Sequence, residues 1–485
     1  MNLSTEQKYA FDLFKKGKNI CVTGPGGTGK TRLIEYFVEH SVKNGSKIQV
    51  CALTGCATIL LPKMCNARTL HSWSGIRLCK GENKTIIETA VKNKRIKSGW
   101  KTARILIVDE VSMMSLKILE VLNRIAQLVR GNMAPFGGIQ VVFLGDFYQL
   151  PPVATIGDPD TEMFCFQSKL WGTLFPVENT VVLKTVFRQT DAQYKDILTQ
   201  IRVGCLTKKN SDVLNKCVNK EFDEQKYNGC KPTKLFPTRI KTENLNNSMF
   251  AKLAGKLYNF PHIRKTSCKT YLESGKPLSI THLQKCSNLP DVVIQYELQQ
   301  LKSNSSCLDV LCLKEGAVVM CTVNLDMDNG ICNGAQGIIS GFIQRDNGSL
   351  PEVTFVNGVK KVLDMHYVQS EEYPAIAIGY IPLCLAWALT IHKIQGATLT
   401  MADIDVGNQI FECGQTYVAL SRVQTLDGLY LSAFNPDKIR INESVRQFYE
   451  SIPEKDYKIE QNIFKDFELQ EEEYTKPTNI KVIRL

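Results

Sequence analysis

The chain has 485 residues, 59 Lys plus Arg against 48 Asp plus Glu, a formal charge of +11 and 44% hydrophobic residues. That is enough apolar material for ordinary cores and, at roughly 150 residues per domain, for about three domains; a disordered chain, a fibre and a small disulfide-stapled scaffold are excluded. The positive excess is modest, and permits a polyanionic partner without demanding one.

Ser4-Thr5-Glu6-Gln7 has the pattern of a capping box, with Ser4 as N-cap and Gln7 reaching back, and opens a helix to about Lys16. Ile20–Thr23 reads as a short buried strand, followed by a glycine loop and a helix from Thr31 to about Lys43. Further strands are expected at Ile48–Leu53, Arg104–Val108, Gln140–Leu144 and Thr180–Leu183. Leu116–Arg130 is amphipathic, with Leu119, Leu122, Ile125 and Val129 on one face and Lys117, Glu120, Arg124 and Gln127 elsewhere. Strands alternating with helices over 1–185 predict an α/β domain with a doubly wound parallel sheet. A basic stretch, Lys80–Arg104, breaks the rhythm and reads as part of an insertion at about 69–103, either a solvated charged face or an element facing nucleic acid.

Beyond Val186 the pattern is weaker. Asp191–Val218 reads helical, 250–310 has little periodicity, and 316–368 is β-rich with turn signals at Asp328-Asn329-Gly330, Asn333-Gly334, Asp346-Asn347-Gly348 and Asn357-Gly358. A small β-barrel of the Src-homology type, inserted at about 250–380 into a second core spanning 186–450, fits this pattern. Residues 451–485, with an acidic run at 460–473, read as a peripheral tail.

Tyr373–Ile391 is 19 residues without a charge, close to the length of a membrane span. Pro374, Gly379 and Pro382 make two buried strands broken at Pro382 the better reading, and no membrane partner is expected. Met1–Lys18 carries Asp12, Lys15, Lys16 and Lys18 and no apolar run, unlike a secretory signal. The 17 cysteines include no C-x-x-C pair, and many, such as Cys21, Cys51, Cys312, Cys321 and Cys384, sit in apolar runs. They read as core thiols of an intracellular, reducing compartment, nucleus or cytoplasm alike, with no structural metal.

Three segments carry chemistry. Gly24-Pro25-Gly26-Gly27-Thr28-Gly29-Lys30-Thr31 follows a strand and opens a helix, the context in which G-x-x-x-x-G-K-[ST] cradles phosphates with backbone N–H groups. Lys30 is placed to reach the β- and γ-phosphates of ATP, and Thr31 to ligate Mg²⁺. Ile105–Val108 then ends in Asp109 and Glu110, and two charges at the end of an apolar strand need partners because each costs several kcal/mol unpaired. Asp109 is read as holding Mg²⁺ through water, and Glu110 as polarising the attacking water. Gln149, in Gly145-Asp146-Phe147-Tyr148-Gln149-Leu150-Pro151-Pro152 after a third strand, is read as sensing the γ-phosphate.

With these motifs the chain resembles superfamily 1 helicases of the 5′→3′ class, most closely the Pif-type (petite integration frequency) DNA helicases. Leu53-Thr54-Gly55-Cys56-Ala57 and Thr69-Leu70-His71-Ser72-Trp73 resemble the two strand-contacting motifs. Phe187-Arg188-Gln189, Thr390–Leu399 and Gln415–Arg422 resemble the later ones, the last two over long and specific runs. The resemblance implies two RecA-like domains that close on ATP. Gln7 would read adenine, alongside or instead of capping its helix; Gly396 would join the nucleotide site, and Arg188 and Arg422 would reach the γ-phosphate. Thr54, His71, His392 and Lys393 would touch single-stranded DNA, and Trp73 would stack on a base or belong to the core. The implied activity is an ATP-dependent DNA helicase acting 5′→3′ on single strands and tailed duplex as a monomer, with G-quadruplexes and RNA–DNA hybrids as family substrates. The rival readings are a translocase that separates no duplex and a RecD-like subunit of a nuclease complex.

Overall fold

A computed structural model describes residues 3–222, 231–272, 275–303, 305–326, 329–345, 348–370 and 373–454. The expected tail beyond 454, and the Asp328 and Asp346-Asn347 turn positions, lie outside these residues. Six strands form the first sheet: β1 Ile20–Thr23, β2 Ile48–Ala52, β3 Arg68–Thr69, β4 Ile105–Asp109, β5 Gln140–Gly145 and β6 Thr180–Val182. They pair in the order β3-β2-β4-β5-β1-β6, every pair parallel. β1 and β4 are buried along their whole length, as expected for strands covered by helices on both faces. In an open parallel sheet, ligands bind outside the carboxyl ends of the strands. The phosphate loop, Asp109-Glu110, the Asp146–Gln149 segment and Thr54 all follow such ends.

The second sheet has four parallel strands in the order Ala388–Thr390, Thr233–Phe236, Ala402–Val406, Leu429–Phe434. Helices Ala192–Arg202 and Gln415–Leu420 pack on it. Between its strands the chain builds a five-stranded antiparallel sheet, ordered Lys360–Val362, Gly348–Phe355, Gln336–Arg345, Val318–Cys321, Leu383–Leu385, with smaller sheets beside it. Its two edge strands are not paired to each other; the antiparallel pair Tyr258–Pro261 and Val310–Leu313 packs Phe260, Leu311 and Leu313 into the same core. The uncharged stretch near 380 forms strands Ala377–Tyr380 and Leu383–Leu385, broken at Pro382 as its composition demands. No described helix is long and apolar enough to cross a membrane.

The basic stretch folds as helices Asn83–Lys92 and Lys94–Thr102, whose Ala90, Ile96 and Trp100 are buried in the first core while Lys80, Lys84, Lys92, Lys94, Lys97, Lys101 and Arg104 are exposed, as both of its readings require. One expectation needs correction. Lys117, assigned to the polar face of Leu116–Arg130, is only 3% exposed and donates to the Gly81 carbonyl at 2.6 Å and to Asp158. Helix amphipathicity alone could not show this, because the covering residues come from outside the helix.

Helix Glu443–Glu450 follows the second core but packs against the first. The Phe448 ring sits 4.5 Å from that of Phe166 and 5.1 Å from that of Phe147, and Tyr449 stacks on Tyr148 at 4.6 Å. The two cores are therefore bridged by the chain's return as well as by the cleft between them.

Candidate nucleotide and strand site

The phosphate loop is held open by its glycines. Gly24, Gly27 and Gly29 have φ of +155°, +85° and +77°. A Cβ on Gly27 would lie 2.5 Å from Cβ of Arg188, so this position needs glycine both for its backbone and for its neighbour. Lys30 Nζ donates to the carbonyls of Gly24 at 2.8 Å and Pro25 at 3.0 Å, curled over the loop it serves. Burial pushes the Lys30 ammonium below its ordinary range, and Asp146, Glu110 and Asp109 oppose that shift. Gln7 makes both expected contacts of a capping box, Ser4 N to its Oε1 at 2.9 Å and its own N to Ser4 Oγ at 3.3 Å. Its Nε2 donates to Thr28 O at 3.0 Å, tying the first helix to the loop. Reading a base edge would require this amide to leave those partners. Thr28 is itself buried, its Oγ1 donating to Pro25 O at 2.9 Å.

A cavity of ≈ 380 Å³ opens beside the loop, lined by Gly26, Gly27, Gly29, Lys30, Thr31, Asp109, Glu110, Gln149, Arg188, Gly396 and Arg422 together with Phe187, Thr398 and Gln424. Glu110 has φ +55°, a left-handed backbone rarely taken by a non-glycine residue and common at functional sites. Burial, and then the neighbouring Glu110, raise the Asp109 carboxyl above the usual carboxylate range. Gln149 is 4% exposed and its Oε1 has no hydrogen-bond partner. A buried unsatisfied amide calls for a ligand or water, and this one lines the cavity.

The second core completes the site. Gln395 Nε2 donates to Glu110 Oε2 at 3.3 Å. Arg188 donates to Ser421 O at 3.2 Å, and Arg422, 1% exposed, to Val418 O at 3.0 Å and Ser421 Oγ at 2.9 Å. A Cβ on Gly26 would stand 3.3 Å from Arg422 Nη2 and 3.5 Å from Arg188 Nη1, so both guanidiniums converge on the loop. Burial lowers both arginines, and Arg422 lowers Arg188 further. The buried Arg422 and the half-buried Arg188 beside Lys30 form a site suited to a polyphosphate. Gly396, at φ +84°, approaches Leu60 so closely that a Cβ would lie 2.4 Å from its Cδ1.

The predicted strand residues divide. Thr54 is half-buried and caps the helix Gly55–Leu60, its Oγ1 accepting from Ala57 N at 3.2 Å. His71 is half-buried, and His392 and Lys393 are exposed in the turn after strand Ala388–Thr390. Trp73 is 4% exposed and packs on Trp100 at 4.4 Å, so it has no free face for a base and belongs to the core.

Sequence reading missed one cluster. Asp146, fully buried, takes a bidentate fork from Arg202 (2.8 Å from Nη2, 3.0 Å from Nε) and a hydrogen bond from the Tyr449 hydroxyl at 3.1 Å. The Tyr417 hydroxyl accepts Gly26 N at 2.9 Å. Asp146 was legible by the logic applied to Asp109, a carboxylate ending an apolar strand; its partners, 56 and 303 positions away, were not. Burial alone would raise the Asp146 carboxyl, but Arg202 outweighs it and holds the carboxyl below its ordinary 3.8. The stability this supplies is complete above about pH 5 and is lost as pH falls through the ordinary value toward the folded one. Asp146→Asn should therefore destabilise the protein by about 3–5 kcal/mol at neutral pH, the cost of stranding a buried arginine. In urea melts the gap to wild type should narrow as pH drops from 5 towards 3; a gap independent of pH would deny the pair its charge.

Two RecA-like cores closing a polyphosphate cleft, with exposed basic and imidazole groups beyond it, define a nucleotide-driven motor. Residues 2–212 match the model of the PIF1-like helicase family, and residues 298–342 that of the DNA helicase Pif1 2B domain. The sequence is 32% identical to the ATP-dependent DNA helicase PIF1 of Xenopus laevis over 469 residues, which cover 96% of this chain and 67% of the relative. The crystal structure of Pif1 helicase from Candida albicans aligns with a TM-score of 0.70 at 31% identity, covering 93% of this chain and 100% of that one. Bacteroides Pif1 bound to ssDNA aligns with a TM-score of 0.60 at 27% identity, covering 93% and 97%. The chain belongs to the PIF1-like helicases, and is an ATP-dependent DNA helicase and ATP hydrolase.

Proposed function

We propose that this helicase translocates 5′→3′ on single-stranded DNA and unwinds tailed duplex, acting as a monomer in a reducing intracellular compartment. The observation that carries this reading is the cleft itself, where Glu110 and Lys30 of one core meet Gln395, Arg188 and Arg422 of the other. In this reading Glu110 orients the attacking water, Gln149 registers the γ-phosphate, and the two arginines stabilise charge on the transferring group. Thr31 and Asp109 offer a hydroxyl and a carboxylate to the same cavity, the hard oxygen donors that suit magnesium, with Asp109 acting through water. Bound magnesium would neutralise phosphate charge.

Thr54 and His71 grip the strand from the first core, His392 and Lys393 from the second. Opening and closing of the cleft changes the distance between the two grips, and alternating release converts each hydrolysis into a step. Contacts to phosphates give hold without sequence preference. Direction is supported by the likeness of the motif set to the 5′→3′ class, as are G-quadruplexes and RNA–DNA hybrids as substrates in replication, repair or recombination. Strand displacement from duplexes bearing one 5′ or one 3′ tail, with ATP and magnesium, tests the reading. Displacement from the 5′-tailed duplex is expected, and displacement from the 3′-tailed duplex alone overturns the direction.

A further inference from the structure

Phe411 lies in the loop after strand Ala402–Val406, at the carboxyl edge of the second sheet, where the His392 turn also emerges. It is 60% exposed although the backbone beneath it is fixed. Ile410 beside it is 3% exposed, the Phe411 amide donates to Oε1 of the buried Gln415 at 3.3 Å, and the Gly414 amide donates to Arg440 O at 3.2 Å. Gly414 is pressed so closely on the first core that a Cβ there would lie 2.4 Å from Tyr148 O and 2.7 Å from Gln149 O. A rigid loop thus holds a large apolar ring in water. The Phe411 ring is nearly parallel to that of His392, 20° between planes and 6.3 Å between centroids, with the exposed Lys393 next along the turn.

We propose that Phe411 and His392 form a shelf on which a nucleobase of the bound strand stacks, while Lys393 takes an adjacent phosphate; this rests on the strand-binding reading above. An exposed aromatic face beside a cation is the combination that holds single strands without reading sequence, since every base has a π-face. The same loop continues through Gly414 into the helix that carries Tyr417 and leads to Arg422, so the shelf and the nucleotide cleft share one short segment.

The test is equilibrium binding of a labelled oligothymidine and of the same strand made abasic throughout, by wild type, Phe411→Ala and Phe411→Trp. For Phe411→Ala, affinity for oligothymidine should fall about 5- to 150-fold, the equivalent of about 1–3 kcal/mol per stacked base. Phe411→Trp should bind as wild type or tighter. The abasic strand should bind wild type and Phe411→Ala alike, because only the phosphate contacts remain. Equal oligothymidine affinity of wild type and Phe411→Ala overturns the shelf, as does an equal loss for both strands, which would mark a distorted loop. Failure of wild type itself to bind oligothymidine would instead strike the strand-binding reading on which the shelf rests.

Discussion

Arg422→Ala should lower kcat of DNA-stimulated ATP hydrolysis by about 10³–10⁵-fold, the range seen when an arginine that stabilises a transferring phosphoryl group is removed. The geometry explains the size. Arg422 is 1% exposed, and its Nε and Nη2 are fixed by Val418 O and Ser421 Oγ. The guanidinium is held toward the phosphate loop by these protein acceptors, so little reorganisation accompanies the reaction. The variant should still bind nucleotide through the loop amides and Lys30, so the loss falls on kcat more than on nucleotide affinity. Lysine at this position should rescue only part of the rate, because it supplies charge without the planar fork. Steady-state hydrolysis with a parallel nucleotide-binding titration checks this, and a fall below tenfold removes Arg422 from the chemistry.

Glu110→Gln should cost about 10²–10⁴-fold in the same kcat, the contribution of a positioned general base. The amide matches the carboxylate in shape and can turn its oxygen to accept the Gln395 donor now 3.3 Å from Glu110 Oε2, so the cleft should close as before. Nucleotide and strand affinities are expected to stay near wild type while hydrolysis and unwinding fail together. Hydrolysis at the wild-type rate would place the base elsewhere in the cavity.

How much of this the sequence disclosed depends on how local the cause is. The phosphate loop and Asp109-Glu110 were legible because each is a run of neighbouring residues at a strand end, where residue type and position dictate the chemistry. The parallel, helix-covered character of the first sheet followed from the same alternation of strand and helix, whereas its pairing order and the short strand Arg68–Thr69 came only with the structure. Trp73 stayed open between base and core because an aromatic beside a histidine has no sign of its own environment; Trp100, which buries it, comes from the basic stretch read as part of an insertion. Lys117 misled for the same reason, its partners Gly81 and Asp158 lying outside the helix whose period assigned it to water. The Asp146–Arg202–Tyr449 cluster joins the first core, the second core and the returning helix Glu443–Glu450, and no spacing rule links such positions. Phe411 stands between the two cases: it was visible as an aromatic before the long Gln415–Arg422 motif, but only its exposure gave it a meaning.

In the proposed mechanism hydrolysis needs groups from both cores, and a bound strand favours their meeting. The most direct measurement is the steady-state ATPase rate of the wild-type chain with and without saturating single-stranded DNA. A rate that rises many-fold with the strand is the expected result. Hydrolysis indifferent to the strand would contradict the coupling of cleft to track.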